Sequence, residues 1–232
     1  MTTNPPPDLS DTTLVAEHLG GLPIINNVIA RLDLDALLER FLPHSDKRVR
    51  LPHARAIGVV IRNLILQHAP LYALQAWAAG LDASSLGLTP RERALLNDDR
   101  VGRALDRLHH ADRGSLLTHL VLSAVRTFDV DLEQFHNDST TITFAGAYTN
   151  ADGRAKSGRN TLAIKHGHNK DDRPDLKQLL WILTVSADGA VPISYRAMDG
   201  NTNDATTHIL LGGPRRPHRP ACLGSQLGWN RF

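Results

Sequence analysis

Apolar residues recur every three to four positions through the first half of the chain, which is the spacing of amphipathic helices. Residues 23–42 predict two helices, the second of which starts at Asp33 or Asp35. Residues 54–67 are apolar on most faces and predict a buried helix. Later helices are predicted around Leu74, around Leu95, from Asn97 to Leu108 and from Asp112 or Ser115 to Val125. We therefore expect residues 11–128 to form a helical domain.

The periodicity changes near Phe128, after which β-branched and aromatic residues predict strands. The strand segments are predicted at residues 129–147, as one strand or a pair of strands, and at residues 162–168, 179–187 and 191–197. The third segment is a continuous apolar run, which is typical of a central buried strand. Asp188 and Gly189 directly after it predict a tight turn. Helices followed by strands predict an α+β fold, with residues 129–210 as the second domain.

The composition is that of an ordinary globular protein, since 41% of the 232 residues are hydrophobic and 22% are charged. The formal net charge is +2 and the sequence pI is about 8.9, a mild basic bias that is compatible with nucleic acid. Cys222 is the single cysteine, which excludes an intrachain disulfide and indicates a reducing, cytoplasmic location. Residues 1–10 contain three consecutive prolines and are expected to be disordered. No segment is long and apolar enough to predict a membrane span.

Several enzyme classes are disfavoured by the motifs that the chain lacks. The sequence has no glycine-rich phosphate loop, no nucleophile elbow and no dinucleotide-binding fingerprint. An ATPase, a serine hydrolase and a Rossmann-type oxidoreductase are therefore disfavoured. The candidate functional residues are instead found in three basic segments and at one carboxylate.

Two basic segments of the helical region are candidates for DNA contact. The first is either a solvated connector or a loop that neutralises backbone phosphates. The second lies on one side of a predicted helix, which belongs either to an ordinary helical hairpin or to a helix-turn-helix pair. Their basic residues are Lys47, Arg48, Arg50 and Arg55 in the first segment and Arg100, Arg103 and Arg107 in the second.

The third basic segment contains Lys165, His166, His168 and Lys170. On a strand, the spacing of the two histidines puts both imidazoles on one face. One interpretation is contact with substrate or phosphate. The other is a transition-metal site that also uses His136, although no cysteine and no HExxH motif accompanies these histidines.

Asp138 is an isolated carboxylate in a strand-forming stretch rich in Thr, Ile and Phe. A carboxylate on a strand is costly unless it faces water, a partner or a metal ion. Carboxylate oxygens suit Mg²⁺ and Mn²⁺, so Asp138 is a candidate catalytic residue and metal ligand. Ser139 and Thr140 are candidates to hydrogen-bond it. The alternative is an ordinary aspartate at the end of a strand.

In combination, four segments of this chain resemble insertion-sequence transposases of the DDE superfamily, the bacterial group with a ribonuclease-H-like catalytic core. The resemblance covers about residues 12–210. The segments are Leu95–Leu108, His136–Thr141, His166–Leu179 and Asp199–Thr202. The resemblance implies a helical DNA-binding region followed by the first strands of a ribonuclease-H-like α/β domain.

The resemblance also implies a function and a metal requirement. Members of this group cleave DNA and transfer the freed strand by chemistry that depends on Mg²⁺ or Mn²⁺, and the position of their first catalytic acid is Asp138 here. The second and third acids have no counterpart in this sequence. We therefore expect an inactive, truncated or frameshifted transposase that does not bind the metal tightly, with residues 211–232 as an aberrant, disordered tail. The alternative is a non-catalytic DNA-binding or oligomerising fragment that inhibits intact transposase at the terminal repeats of the element.

Overall fold

A computed structural model of the chain describes residues 17–44, 48–156, 158–168 and 172–203. In this part of the chain, helices come first and a three-stranded antiparallel sheet follows, which confirms the predicted α+β class. The chain divides into two compact units, residues 1–113 and residues 114–232. The disorder expected for residues 1–10 and 211–232 concerns segments outside the described residues.

The first unit is helical, and its longest helix lies at the centre of its packing. The helices are α1 (Leu22–Arg31), α2 (Leu34–Phe41), α3 (His53–Leu66), α4 (Leu74–Ala79), α5 (Pro90–Ala94) and α6 (Asp98–His110), with 3-10 turns at Leu71–Ala73 and Ser84–Leu86. Helix α3 packs against α6, α2 and α1. Its buried residues include Ile57 and Val59, and the predicted buried helix is therefore confirmed.

Local capping interactions set the starts of two of these helices. The side chain of Asn97 accepts a hydrogen bond of 2.9 Å from the N–H of Arg100 and thereby begins α6. Before α5, Thr89 and Glu92 form a reciprocal capping box. Burial would raise the pKa of Glu92, but hydrogen bonds from Thr89 and Arg55 outweigh that effect and lower the pKa below its usual value.

A buried arginine joins three helices of this unit. The side chain of Arg62 on α3 is 4% exposed, and its guanidinium donates to both carboxylate oxygens of Asp35 on α2, at 3.2 and 2.8 Å. It also donates to the side chain of Asn26 on α1 at 2.8 Å. Gly58 leaves room for it, because an added Cβ would lie 3.0 Å from the Arg62 Nη1 atom. Gly87, beside the guanidinium, has a φ of +74°, a conformation that favours glycine.

The residue after Arg62 ends the same helix. Asn63 is buried, and its amide group donates to the carbonyl of Ala69 at 2.7 Å and accepts from the N–H of Ala69 at 3.1 Å. These two bonds hold the chain where it leaves α3 and turns toward Pro70. Arg62 and Asn63, the polar pair that interrupts the apolar sequence of α3, therefore both stabilise the fold.

The second unit contains α7 (Arg113–Phe128) and the sheet. The strands are β1 (Phe135–Phe144), β2 (Lys177–Ser186) and β3 (Pro192–Asp199), with β2 in the centre as its apolar run predicts. Asp138 lies opposite Leu183, and Leu183 lies opposite Tyr195. Gly189, in the turn between β2 and β3, has a φ of +68°, which fits the predicted turn. The strand predicted at residues 162–168 is wrong, because this segment forms isolated bridges at Ala163 and Lys165 instead.

Among the described residues, no single helix has both the length and the apolar composition needed to cross a membrane. Residues 53–66 and 71–79 meet the requirement only as a pair, and they are bent by 106° relative to each other.

We expect Asp35→Ala to destabilise the protein more than Arg62→Met. Loss of Asp35 leaves a buried guanidinium without its counter-charge, which costs about 3–5 kcal/mol. In Arg62→Met the methionine fills a similar volume, and the half-exposed carboxylate of Asp35 that remains can be solvated by water. This substitution therefore lowers the free energy of unfolding by roughly 1–2 kcal/mol. Urea unfolding followed by circular dichroism measures both free energies, and equal costs or the reverse order would contradict this account.

Candidate functional site

Asp138 lies in the middle of β1 with its side chain on the more exposed face of the sheet. Its neighbours on this face are His136 and Thr140 on the same strand and Leu183 across on β2. Beyond Leu183 lies Tyr195 on β3, whose ring stacks on Trp181 with centroids 4.7 Å apart. The carboxylate therefore has polar neighbours on its own strand and apolar or aromatic ones on β2 and β3.

The carboxylate of Asp138 has a backbone partner. Its Oδ1 atom accepts a hydrogen bond of 2.8 Å from the N–H of Ser139. The side chain of Ser139 is buried on the opposite face of the sheet, so it is the amide of Ser139, and not its hydroxyl, that meets the carboxylate. Thr140 is exposed and shares the face of Asp138.

One carboxylate does not make a two-metal site. Two-metal phosphoryl transfer needs several carboxylates that converge on ions about 4 Å apart. Asp199 lies opposite Leu179, four residues along β2 from Leu183, which is about 13 Å along the strand. Its Oδ1 atom accepts from the N–H of Ala163 at 2.9 Å. Among the described residues no group of three or more His, Cys, Asp or Glu side chains could hold a metal ion. The described residues therefore do not fit such a centre.

The segment with His166 and His168 is built into one end of the sheet. Lys165 exchanges two backbone hydrogen bonds with Gln178, of 3.2 and 2.8 Å. The buried amide group of Gln178 donates to the carbonyl of Gly200 at 2.8 Å and to that of His168 at 3.3 Å. A Cβ added at Gly167 would lie 2.1 Å from the Gly200 oxygen, so the two backbones touch. Two of the four segments that resemble transposases therefore contact each other here through close backbone packing. We call this contact of Lys165, Gln178 and Gly200 the corner of the sheet.

The corner and Asp138 are separate. Gln178 is five residues along β2 from Leu183, which corresponds to about 17 Å. Lys165, His166 and His168 are exposed, and the Nδ1 atom of His166 lies 3.2 Å from the carbonyl oxygen of Pro174. The structure does not bring these histidines to the carboxylate or to His136, which pairs with Val185 near the other end of the sheet.

The helical unit brings together basic side chains that are distant in sequence. His44 precedes α3, His53 begins it, and Arg103 and Arg107 lie on the exposed side of α6, which packs against α3. Burial and the positive charges of Arg107, His44 and Arg103 together lower the pKa of His53 below its usual value. We call these four residues the basic cluster. Sequence reasoning identified its arginines but missed both histidines, whose only signal is their position beside the basic loop.

Two of the other candidate arginines have well-defined partners. Arg55 donates to both carboxylate oxygens of Glu92 at 2.8 Å, and Arg100 donates to the carbonyl of Leu95 at 2.8 Å. Arg48 and Arg50 are exposed in the loop before α3. The remaining candidates, Lys47 and Lys170, lie outside the described residues.

Residues 14–122 match a family model described as a domain of unknown function (DUF4277). No curated protein and no solved structure matches the chain. The matched residues run from before α1 into α7, so this similarity covers the helical part of the chain and stops before β1.

Proposed function

We propose that this chain is a transposase-related protein of an insertion sequence and that its helical region binds DNA. The observation that carries the proposal is the basic cluster, in which His44, His53, Arg103 and Arg107 come from separate stretches of the chain. The positive charges of Arg103 and Arg107 disfavour the charged form of His53, and the phosphates of DNA would offset those charges. The resemblance of residues 12–210 to DDE-superfamily transposases supports the same assignment.

The cluster suits phosphate contact better than base reading. Arg103 and Arg107 are one helical turn apart, and both are exposed. Arg103 lies 3.5 Å from Asp99, an ion pair with both side chains largely exposed, so water and salt weaken it and the guanidinium is available to a phosphate. Such contacts position a protein on DNA without specifying its sequence.

We propose cleavage and transfer of DNA strands only for a catalytic core that has all three acids of this family. In such a core Asp138 is the first acid and Mg²⁺ or Mn²⁺ is the cofactor. The described residues supply one of the three acids. We therefore propose that this chain, by itself, binds the ends of the element without cutting them. A chain of this kind would inhibit intact transposase by occupying its DNA sites.

Removal of the cluster arginines should weaken DNA binding. We expect Arg103→Ala with Arg107→Ala to lower the affinity for duplex DNA and to reduce the slope of log affinity against log salt by about 2, because roughly one counterion is released per phosphate contact. Fluorescence anisotropy over a salt series measures both quantities. Arg154→Ala is the matched control, since this arginine is exposed and lies in the second unit. Equal effects of the control and the double substitution would contradict the assignment.

Binding should also depend on pH through His53. Burial and the neighbouring cations lower the pKa of His53, and a bound phosphate chain would offset the effect of the cations, so DNA binding and protonation of His53 favour each other. We expect DNA affinity to rise as the pH falls from about 8 to about 6, the interval in which histidines gain charge. His53→Gln should flatten this rise. His68→Asn should not, because His68 lies beyond the opposite end of α3. A rise that survives His53→Gln unchanged would exclude this residue.

A nicking assay separates DNA binding from catalysis. We expect no cleavage of element-end DNA by this chain in Mg²⁺ or Mn²⁺, because one carboxylate cannot position two ions. Asp138→Ala should leave the DNA affinity unchanged. Metal-dependent nicking that disappears with Asp138→Ala would show instead that the chain is itself a nuclease.

A further inference from the structure

A cavity of the helical unit lies between α2, α3 and the segment of residues 84–89. Its volume is about 340 Å³, which is within the usual range of small-molecule sites. The described residues that line it do not include those of the basic cluster, so the cavity is a separate feature of this unit. The lining residues that matter here are the apolar Ala54, Leu86 and Leu88 and the charged Asp35, Glu39, Arg55 and Arg62.

The charged side chains of the cavity form two pairs of opposite sign. Arg62 and Asp35 form one pair, at 2.8 Å. In the other pair, the Nε atom of Arg55 lies 3.9 Å from the Oε1 atom of Glu39. The two arginines are seven residues apart on α3, which is about 10 Å along the helix, and the two carboxylates are about one turn apart on α2. The cavity therefore presents one pair after the other along the two helices.

The pair of Arg55 and Glu39 keeps hydrogen-bonding groups for a ligand. Arg55 donates to Glu92 through its Nη1 atom, and its Nε and Nη2 atoms have no acceptor within hydrogen-bonding distance among the described residues. Glu39 accepts no hydrogen bond from the described part of the chain, because 3.9 Å is too long for one. A carboxylate can therefore accept from Arg55 while a neighbouring cation donates to Glu39.

The pair of Arg62 and Asp35 lacks one acceptor. Four of the five N–H groups of Arg62 donate to the side chain of Asn26, the carbonyl of Gly58 and the two oxygens of Asp35. The fifth, on Nη2, has no acceptor among the described residues, although the side chain is only 4% exposed. A buried donor without an acceptor is unfavourable. Asp35 is half-exposed, and its oxygens can accept further bonds. An amide group, with one acceptor and two donors, complements this pair.

We propose that this cavity binds a free α-amino acid whose side chain ends in an amide, of the size of glutamine. The α-carboxylate accepts from Arg55, and the α-ammonium donates to Glu39. The side-chain carbonyl accepts from the fifth N–H of Arg62, and the side-chain NH₂ donates to Asp35. Such a ligand is neutral overall, and the four charged side chains of the lining also sum to zero, so the complex buries no net charge.

Isothermal titration calorimetry of the full chain with L-glutamine tests the proposal. We expect saturable binding of one L-glutamine per chain. Norleucine keeps both charged groups but has no amide, and glutaramate keeps the amide and the carboxylate but has no ammonium. Each should bind about tenfold more weakly or worse, because it loses hydrogen bonds to a charged group. An analogue that binds as tightly as L-glutamine would overturn the proposal. So would the lack of saturable binding up to about 10 mM L-glutamine, ten times the dissociation constant of a weak site of about 1 mM.

Glu39→Gln tests where the ligand lies. The side chain of Glu39 is 61% exposed and accepts no hydrogen bond from the described residues, so the variant should fold. We expect it to weaken the binding of L-glutamine by about tenfold and not to weaken that of glutaramate, which has no ammonium for Glu39 to bind. Asp106→Asn is the matched control, since this carboxylate is exposed on α6 and is not among the lining residues. Equal effects of the two substitutions would overturn the proposal, as would an equal loss of glutaramate and L-glutamine binding in Glu39→Gln.

Discussion

The ion pair between Arg62 and Asp35 is the interaction on which the helical unit depends most. A buried guanidinium must find partners for its donors, and here they come from Asp35 on α2, Asn26 on α1 and the carbonyl of Gly58 on α3. Asn26 in turn donates to the carbonyl of Ser85 at 2.7 Å, which extends the network to a 3-10 turn. The relative placement of these elements is thus specified by hydrogen-bond geometry, which is more directional than apolar packing alone.

The placement of α3 has a consequence for the surface. With Arg62 fixing one part of this helix, its first turn carries His53 to the side where α6 presents Arg103 and Arg107. Arg55, two residues after His53, donates to both carboxylate oxygens of Glu92, so its charge is offset and it does not add to the cluster. These basic residues lie together in a protein whose formal net charge is only +2.

Asp138 in the sheet has both a proposed catalytic role and a structural contact. Asp138 occupies the position that the family resemblance gives to an acid, and the same carboxylate accepts a hydrogen bond from the N–H of Ser139. The two roles are compatible, because a carboxylate drawn to another ligand would release the N–H of Ser139. The corner formed by Lys165, Gln178 and Gly200 likewise explains part of the resembling sequence by close backbone contact.

The sequence by itself determined the order of helices and strands, the buried character of α3, the central place of β2 and the cap at Asn97. These features depend on periodicity and on neighbours within a few residues, so they are visible in a single chain. Only the tertiary structure decided that Arg62 is a buried partner of Asp35, that Arg55 is taken up by Glu92 and that His53 joins the arginines of α6. It also replaced the strand expected at residues 162–168 with isolated bridges. Each of these outcomes depends on side chains that lie far apart in sequence, and local pattern carries no information about which of them meet.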